Sequence, residues 1–112
     1  PDGHSLGWRC DEKGLLAVLV NVGPSIKSTE DHISVQHQFP SAAAETSLWT
    51  FDRKHRTAWM SAEEIPAFKQ RALLATRVLI RITDSDGGVV VTMDFPLRGL
   101  ELALVSLPCG TK

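Results

Sequence analysis

The chain has 112 residues, 43% of them apolar and 22% charged, and 12 Lys and Arg against 13 Asp and Glu give a formal net charge of -1. That length supports one hydrophobic core and not two, and the composition is that of a folded globular domain, not a disordered tail or a coiled coil. Near-neutrality leaves no long-range field to gather phosphates, which argues against nucleic acid as the main ligand, and the longest apolar run, residues 15–20, is far short of the roughly 20 residues of a membrane helix.

The chain begins at Pro1 with neither an initiator Met nor a basic-then-apolar leader, so a processed or trimmed chain is expected. The arm 1–7 carries two glycines and a proline and is expected to be loose as far as Trp8. Residues 6–10, the turn Asp11-Glu12-Lys13-Gly14 and residues 15–22 read as a hairpin, whose second strand is apolar enough to be covered on both faces. Gly23-Pro24 breaks it. Ile33, Val35, His37 and Phe39 alternate with Ser34, Gln36 and Gln38, the period-2 signature of a strand with one buried face, and Pro40 ends it.

Residues 47–51 form a further short strand carrying Trp49, followed by the charged tip Asp52-Arg53-Lys54-His55-Arg56 and a return through residues 57–60. Ser61 and Glu64 stand at capping-box spacing, which predicts a helix start, with Pro66 delaying regular helix to residues 66–74. Val78, Ile80 and Ile82, then Val89, Val91, Met93 and Phe95, mark the two clearest strands. Asp84-Ser85-Asp86-Gly87-Gly88 between them predicts an antiparallel hairpin. Leu97, Leu100, Leu104 and Leu107 recur at helical spacing between Pro96 and Pro108, so a C-terminal helix is expected. The fold expected is mainly β with an α+β character: a small antiparallel sandwich or curved sheet of about six strands, one short mid-chain helix, and a C-terminal helix packed on the sheet.

Cys10 and Cys109 sit at opposite ends, with no CxxC pair and no His at zinc spacing. A disulfide between them suits an oxidising compartment and, on the chain-entropy model, contributes about 4 to 5 kcal/mol. The competing arrangement is two separate buried thiols. The final third reads Phe95-x-Leu97-x-Gly99-Leu100-x-x-Ala103-Leu104, then Cys109-Gly110. It resembles the end of the VasI-like proteins associated with bacterial type VI secretion, which are small exported proteins or lipoproteins. Arg9-Cys10, the strand at 35–39 and Trp59-x-Ser61 fall where that family has similar features, whereas residues 14–57 match loosely. The resemblance implies a periplasmic location, a two-cysteine bridge and an accessory role in a secretion apparatus, and it brings no catalytic residues. In physical terms the segment is a strand-to-helix junction, with Gly99 expected to let the helix approach the sheet closely.

No site chemistry stands out beside this. His4, His32, His37 and His55 are never at i,i+4, so no metal is expected, and His37 on an apolar strand face reads as a hydrogen-bonded core or rim residue. Asp84, Asp86 and Asp94 lack the closing Glu of a calcium loop and read as turn residues. Ser61 is taken by the cap, and neither a nucleophile elbow nor a phosphate loop is present, so no cofactor and no catalysis are expected. The surface singled out for a protein partner is the 49–59 hairpin: Trp49, Arg53, Lys54, Arg56 and Trp59, because Trp and Arg combine large contact area with a polar handle. The competing arrangement puts both tryptophans in the core and leaves the tip a solvated turn. The leading expectation is a periplasmic interaction domain, followed by an inhibitor or immunity protein that plugs an effector, and then by an enzyme acting on envelope polymers.

Overall fold

The computed structural model describes residues 4–23, 30–83 and 90–109. The first three residues of the N-terminal arm, Pro24, the segment 84–88 where a turn was expected, Val89 and Gly110 lie outside them. The chain runs β1 (Ser5–Cys10), β2 (Leu16–Asn21), β3 (His32–Gln38), β4 (Glu45–Asp52), β5 (Thr57–Trp59), α1 (Ile65–Leu73), β6 (Arg77–Thr83), β7 (Val90–Pro96) and α2 (Leu100–Val105). The strands form one antiparallel sheet in the order β1-β2-β5-β4-β3-β6-β7, curled into a half-barrel. It is therefore the curved sheet of the two expected architectures, with one strand more than expected. The extra strand is β5, the three-residue return of the β4 hairpin, which also pairs with β2 and so joins the N-terminal hairpin to the rest.

Local chemistry accounts for the turns. Asp11 Oδ1 accepts from the Lys13 and Leu15 amides, and Gly14 supplies the positive φ of 76° that closes the β1–β2 turn. β6 and β7 pair in register from Arg77 opposite Pro96 to Thr83 opposite Val90, as their alternation requires. Val18, Leu19 and Val20 are buried in succession, so β2 is covered on both faces as its composition indicated.

The inner face of the curl carries Val18, Val20, Ile33, Val35, Trp49, Phe51, Ala58, Val78, Ile80, Ile82, Met93 and Phe95. The two helices fill it: Ile65, Phe68 and Ala72 of α1 and Leu100 and Leu104 of α2 belong to the same core. No helix among the described residues is long and apolar enough to cross a membrane.

α1 begins beside Pro66, as the delay expected from that residue implies, but the capping box before it and the start of the last helix differ from the sequence expectation. The capping box at Ser61 is not formed: Ser61 O accepts the Glu64 amide at 3.1 Å in a turn, and α1 begins at Ile65 with no side-chain cap. Pro66 is the reason, since a residue without N–H is best tolerated in the first helical turn, where that donor has no intrahelical partner. α2 is shorter than residues 97–107 because Pro96 still belongs to β7, and the Leu97 amide donates to Thr76 O at 2.9 Å. Gly99 then turns the chain with φ 83°, and a Cβ there would meet nothing within 4 Å. Its role is left-handed backbone, not the close approach expected of it.

Cys10 and Cys109 form the disulfide, with Cα atoms 5.8 Å apart and 99 residues of separation. It fastens the segment after α2 to the end of the edge strand β1. The Cys109 amide adds a contact to Cys10 Sγ at 3.1 Å.

Candidate functional site

Two places on the fold bring functional side chains together. The first is the β4–β5 hairpin. Asp52 ends β4 and organises the tip: Oδ1 accepts from the Lys54 and His55 amides at 3.1 and 3.2 Å, and Oδ2 meets His55 Nδ1 at 2.8 Å. The His55 side-chain bond, followed by its backbone bond, holds the Asp52 carboxyl below the usual carboxylate range. Arg56 takes φ 53°, and its carbonyl accepts the Val22 amide at 2.9 Å, which ties the tip to the end of β2. Arg53 and Lys54 are exposed, and Arg53 lies 3.9 Å from the more exposed Asp31 carboxylate.

The two tryptophans of this hairpin lie on opposite faces. Trp49 is fully buried on the inner face opposite Ile33, with Nε1 donating to Ser47 Oγ at 3.1 Å. Trp49 is therefore a core residue and offers a partner no surface, which corrects its assignment to the interface. Trp59 pairs with Thr50 and Leu19 on the outer face, where the Arg9 guanidinium sits 5.7 Å from its ring centroid. Leu48, two residues along β4 from Thr50, points the same way and is 65% exposed. Arg9, Leu48 and Trp59 thus share the outward face beside the basic tip. Neither Arg9 nor Leu48 carried a sequence signal, because their neighbourhood depends on the β1–β2–β5–β4 order.

The second place is a pocket of about 120 Å³ where α1 crosses the inner ends of β3 and β4. Glu64, the residue just before α1, and Phe68 and Arg71 within it line one side, His37 comes from β3, and Glu45 and Ser47 come from β4. Arg71 forms an ion pair with Glu45, which is opposite His37 in the strand register. His37 is only 6% exposed, and its ring meets Phe68 edge-on at 5.1 Å and Phe39 at 5.7 Å. Its Nδ1 is buried without a hydrogen-bond partner, as is Glu64 Oε2. The hydrogen-bonded histidine expected from the strand pattern is therefore unsatisfied at this atom.

Burial pushes the His37 pKa below its ordinary 6.5; the Glu64 carboxylate opposes that shift and the Arg71 guanidinium reinforces it. From the other flanking strand, Ile80 of β6 presents no charge. Because the unfolded imidazole binds its proton at higher pH than the folded one, stability falls as pH drops from 6.5 toward the lowered folded value. We expect the urea midpoint to decline over that window and His37→Gln to remove most of the decline. An unchanged decline in the variant would assign it to other groups.

Among the described residues no three His, Cys, Asp or Glu side chains are arranged to hold a metal ion. Compared with protein-family models, with curated proteins and with solved structures, the chain finds no match.

Proposed function

We propose that this chain is a non-catalytic periplasmic interaction domain, VasI-like in its final third, that supports a secretion or envelope assembly by protein contact. The observation that carries this reading is the outward face of the β4–β5 hairpin, where an exposed leucine, a tryptophan under a guanidinium and a basic tip stand together. Aromatic and Arg side chains of this kind anchor interfaces, and a cationic rim speeds encounter with an acidic partner. A terminal disulfide supports the exported setting, since such bonds persist in oxidising compartments. Leu74 and Leu102, exposed on the helical side, add further apolar surface.

The test is the triple reversal Arg53→Glu, Lys54→Glu and Arg56→Glu, compared with wild type against a partner recovered from envelope extract. We expect a loss of affinity of about tenfold or more with a flatter salt dependence. Equal affinity and equal salt dependence would remove the tip from the interface.

A second reading is favoured by the order that Asp52 imposes on the tip, since a preorganised loop is what an inhibitor presents to an enzyme's active site. If the partner is a toxin or hydrolase whose activity the chain suppresses, and the triple reversal relieves the suppression, the inhibitor reading replaces the accessory one.

A further inference from the structure

We propose that the pocket between α1 and the β3–β4 pair is a binding site for a small primary ammonium group, held between Glu64 and His37. This site is separate from the hairpin surface and does not depend on the interaction reading. Glu64 Oε2 and His37 Nδ1 are both buried and both lack a hydrogen-bond partner, so neither bonds the other. An unsatisfied buried oxygen or nitrogen costs about 1 to 3 kcal/mol, so two in one pocket point to a donor that reaches both.

The charges set the sign of that donor. Glu45 and Arg71 neutralise one another in their ion pair. His37 is neutral near pH 7, because burial and Arg71 hold its proton off. Glu64 Oε2 remains without a hydrogen-bond partner, and a cationic donor would meet it. An imidazole with its proton on Nε2 offers Nδ1 as an acceptor, and Ser47 Oγ already accepts from Trp49. An ammonium brings three donors and no acceptor, which suits Glu64 Oε2 and His37 Nδ1, while the Arg71 guanidinium on the same wall is paired with Glu45. The ring of Phe68 supplies an apolar wall to which a cation is also attracted. A pocket of about 120 Å³ admits a short alkylamine and excludes bulky quaternary cations.

The experiment titrates the wild-type protein with ethylammonium chloride, following the His37 ring nitrogens and the Glu64 side-chain carboxyl carbon by NMR. Sodium chloride at equal ionic strength, ethanol as a neutral analogue of similar size, and tetramethylammonium serve as comparisons. We expect saturable shifts with ethylammonium alone, and Glu64→Gln, which keeps the shape and removes the charge, to weaken binding by about tenfold or more. If Glu64→Gln does not fold, the size and charge series in wild type still decides. Shifts produced equally by ethanol or sodium chloride, or shifts that never saturate, would show that the pocket holds water only and overturn the proposal.

Discussion

Reduction of the Cys10–Cys109 bond, or its removal as Cys10→Ser with Cys109→Ser, is expected to lower the unfolding free energy by about 3 to 5 kcal/mol. The bond closes a loop of nearly the whole chain, its ends 99 positions apart in sequence. Loop-closure entropy rises with loop length, slowly, so the oxidised unfolded chain is strongly restricted. Against a total of about 5 to 15 kcal/mol for an ordinary domain, the loss would leave the reduced protein close to its unfolding threshold. The local effect is also specific. α2 has six residues, too few to be stable alone, and it is held by Leu100, Leu104 and the tether just after it. Hydrogen exchange in the reduced protein should therefore rise first in α2 and in the edge strand β1. Urea unfolding with and without reductant measures the global effect, and mass before and after reduction confirms the two added hydrogen atoms. Superimposable transitions for oxidised and reduced protein would show that the bond contributes nothing to stability.

The residues that betrayed the fold are those whose period speaks for itself. Ile33, Val35 and His37, Val78, Ile80 and Ile82, and Met93 with Phe95 all lie on the buried face that their alternation indicates. The leucine stripe of the last segment is likewise real, although its helix spans only Leu100–Val105, because Leu97 is buried from the turn before it. What stayed hidden depended on pairing between distant strands. The place of β5 between β2 and β4 has no local signal, and it is this placement that puts Arg9 over Trp59. The opposite fates of the two tryptophans follow from register: Trp49 shares its face with Phe51, whereas Trp59 alternates with the small Ala58, which is uninformative until its partners are known.

The pocket was illegible for a similar reason. His37 was visible as a polar residue on an apolar face, but Glu45, Glu64 and Arg71 come from two other elements and meet it only when α1 lies across the sheet. Each of those three residues reads in isolation as an ordinary surface charge. Gly99 shows a subtler limit. A glycine before a helix is compatible both with close packing and with a left-handed turn, and only the backbone, with φ 83° and open space beside it, separates the two.

Phe68→Ala should be the most damaging single substitution in the helical layer, costing about 3 to 5 kcal/mol. Phe68 is 2% exposed and joins three elements at once: its ring stacks on Trp8 of β1 at 5.6 Å, meets His37 edge-on, and lies 5.4 Å from Phe39, just past β3. Alanine would leave a cavity among partners fixed by the sheet, which cannot collapse to fill it. Phe68→Leu retains most of the volume and should cost less than half as much. Urea unfolding of the two variants ranks them, and equal costs would mean that the site relaxes freely. The same substitution reaches the pocket, because Phe68 forms one of its walls and shields His37 from water. With the ring gone, water can solvate the imidazolium, so the His37 pKa should rise toward 6.5 and the acid-linked loss of stability should shrink. An NMR titration of the His37 ring in Phe68→Ala measures that rise directly. A folded variant with an unshifted His37 would mean that α1 backbone and Arg71, not the Phe68 ring, keep the imidazole neutral.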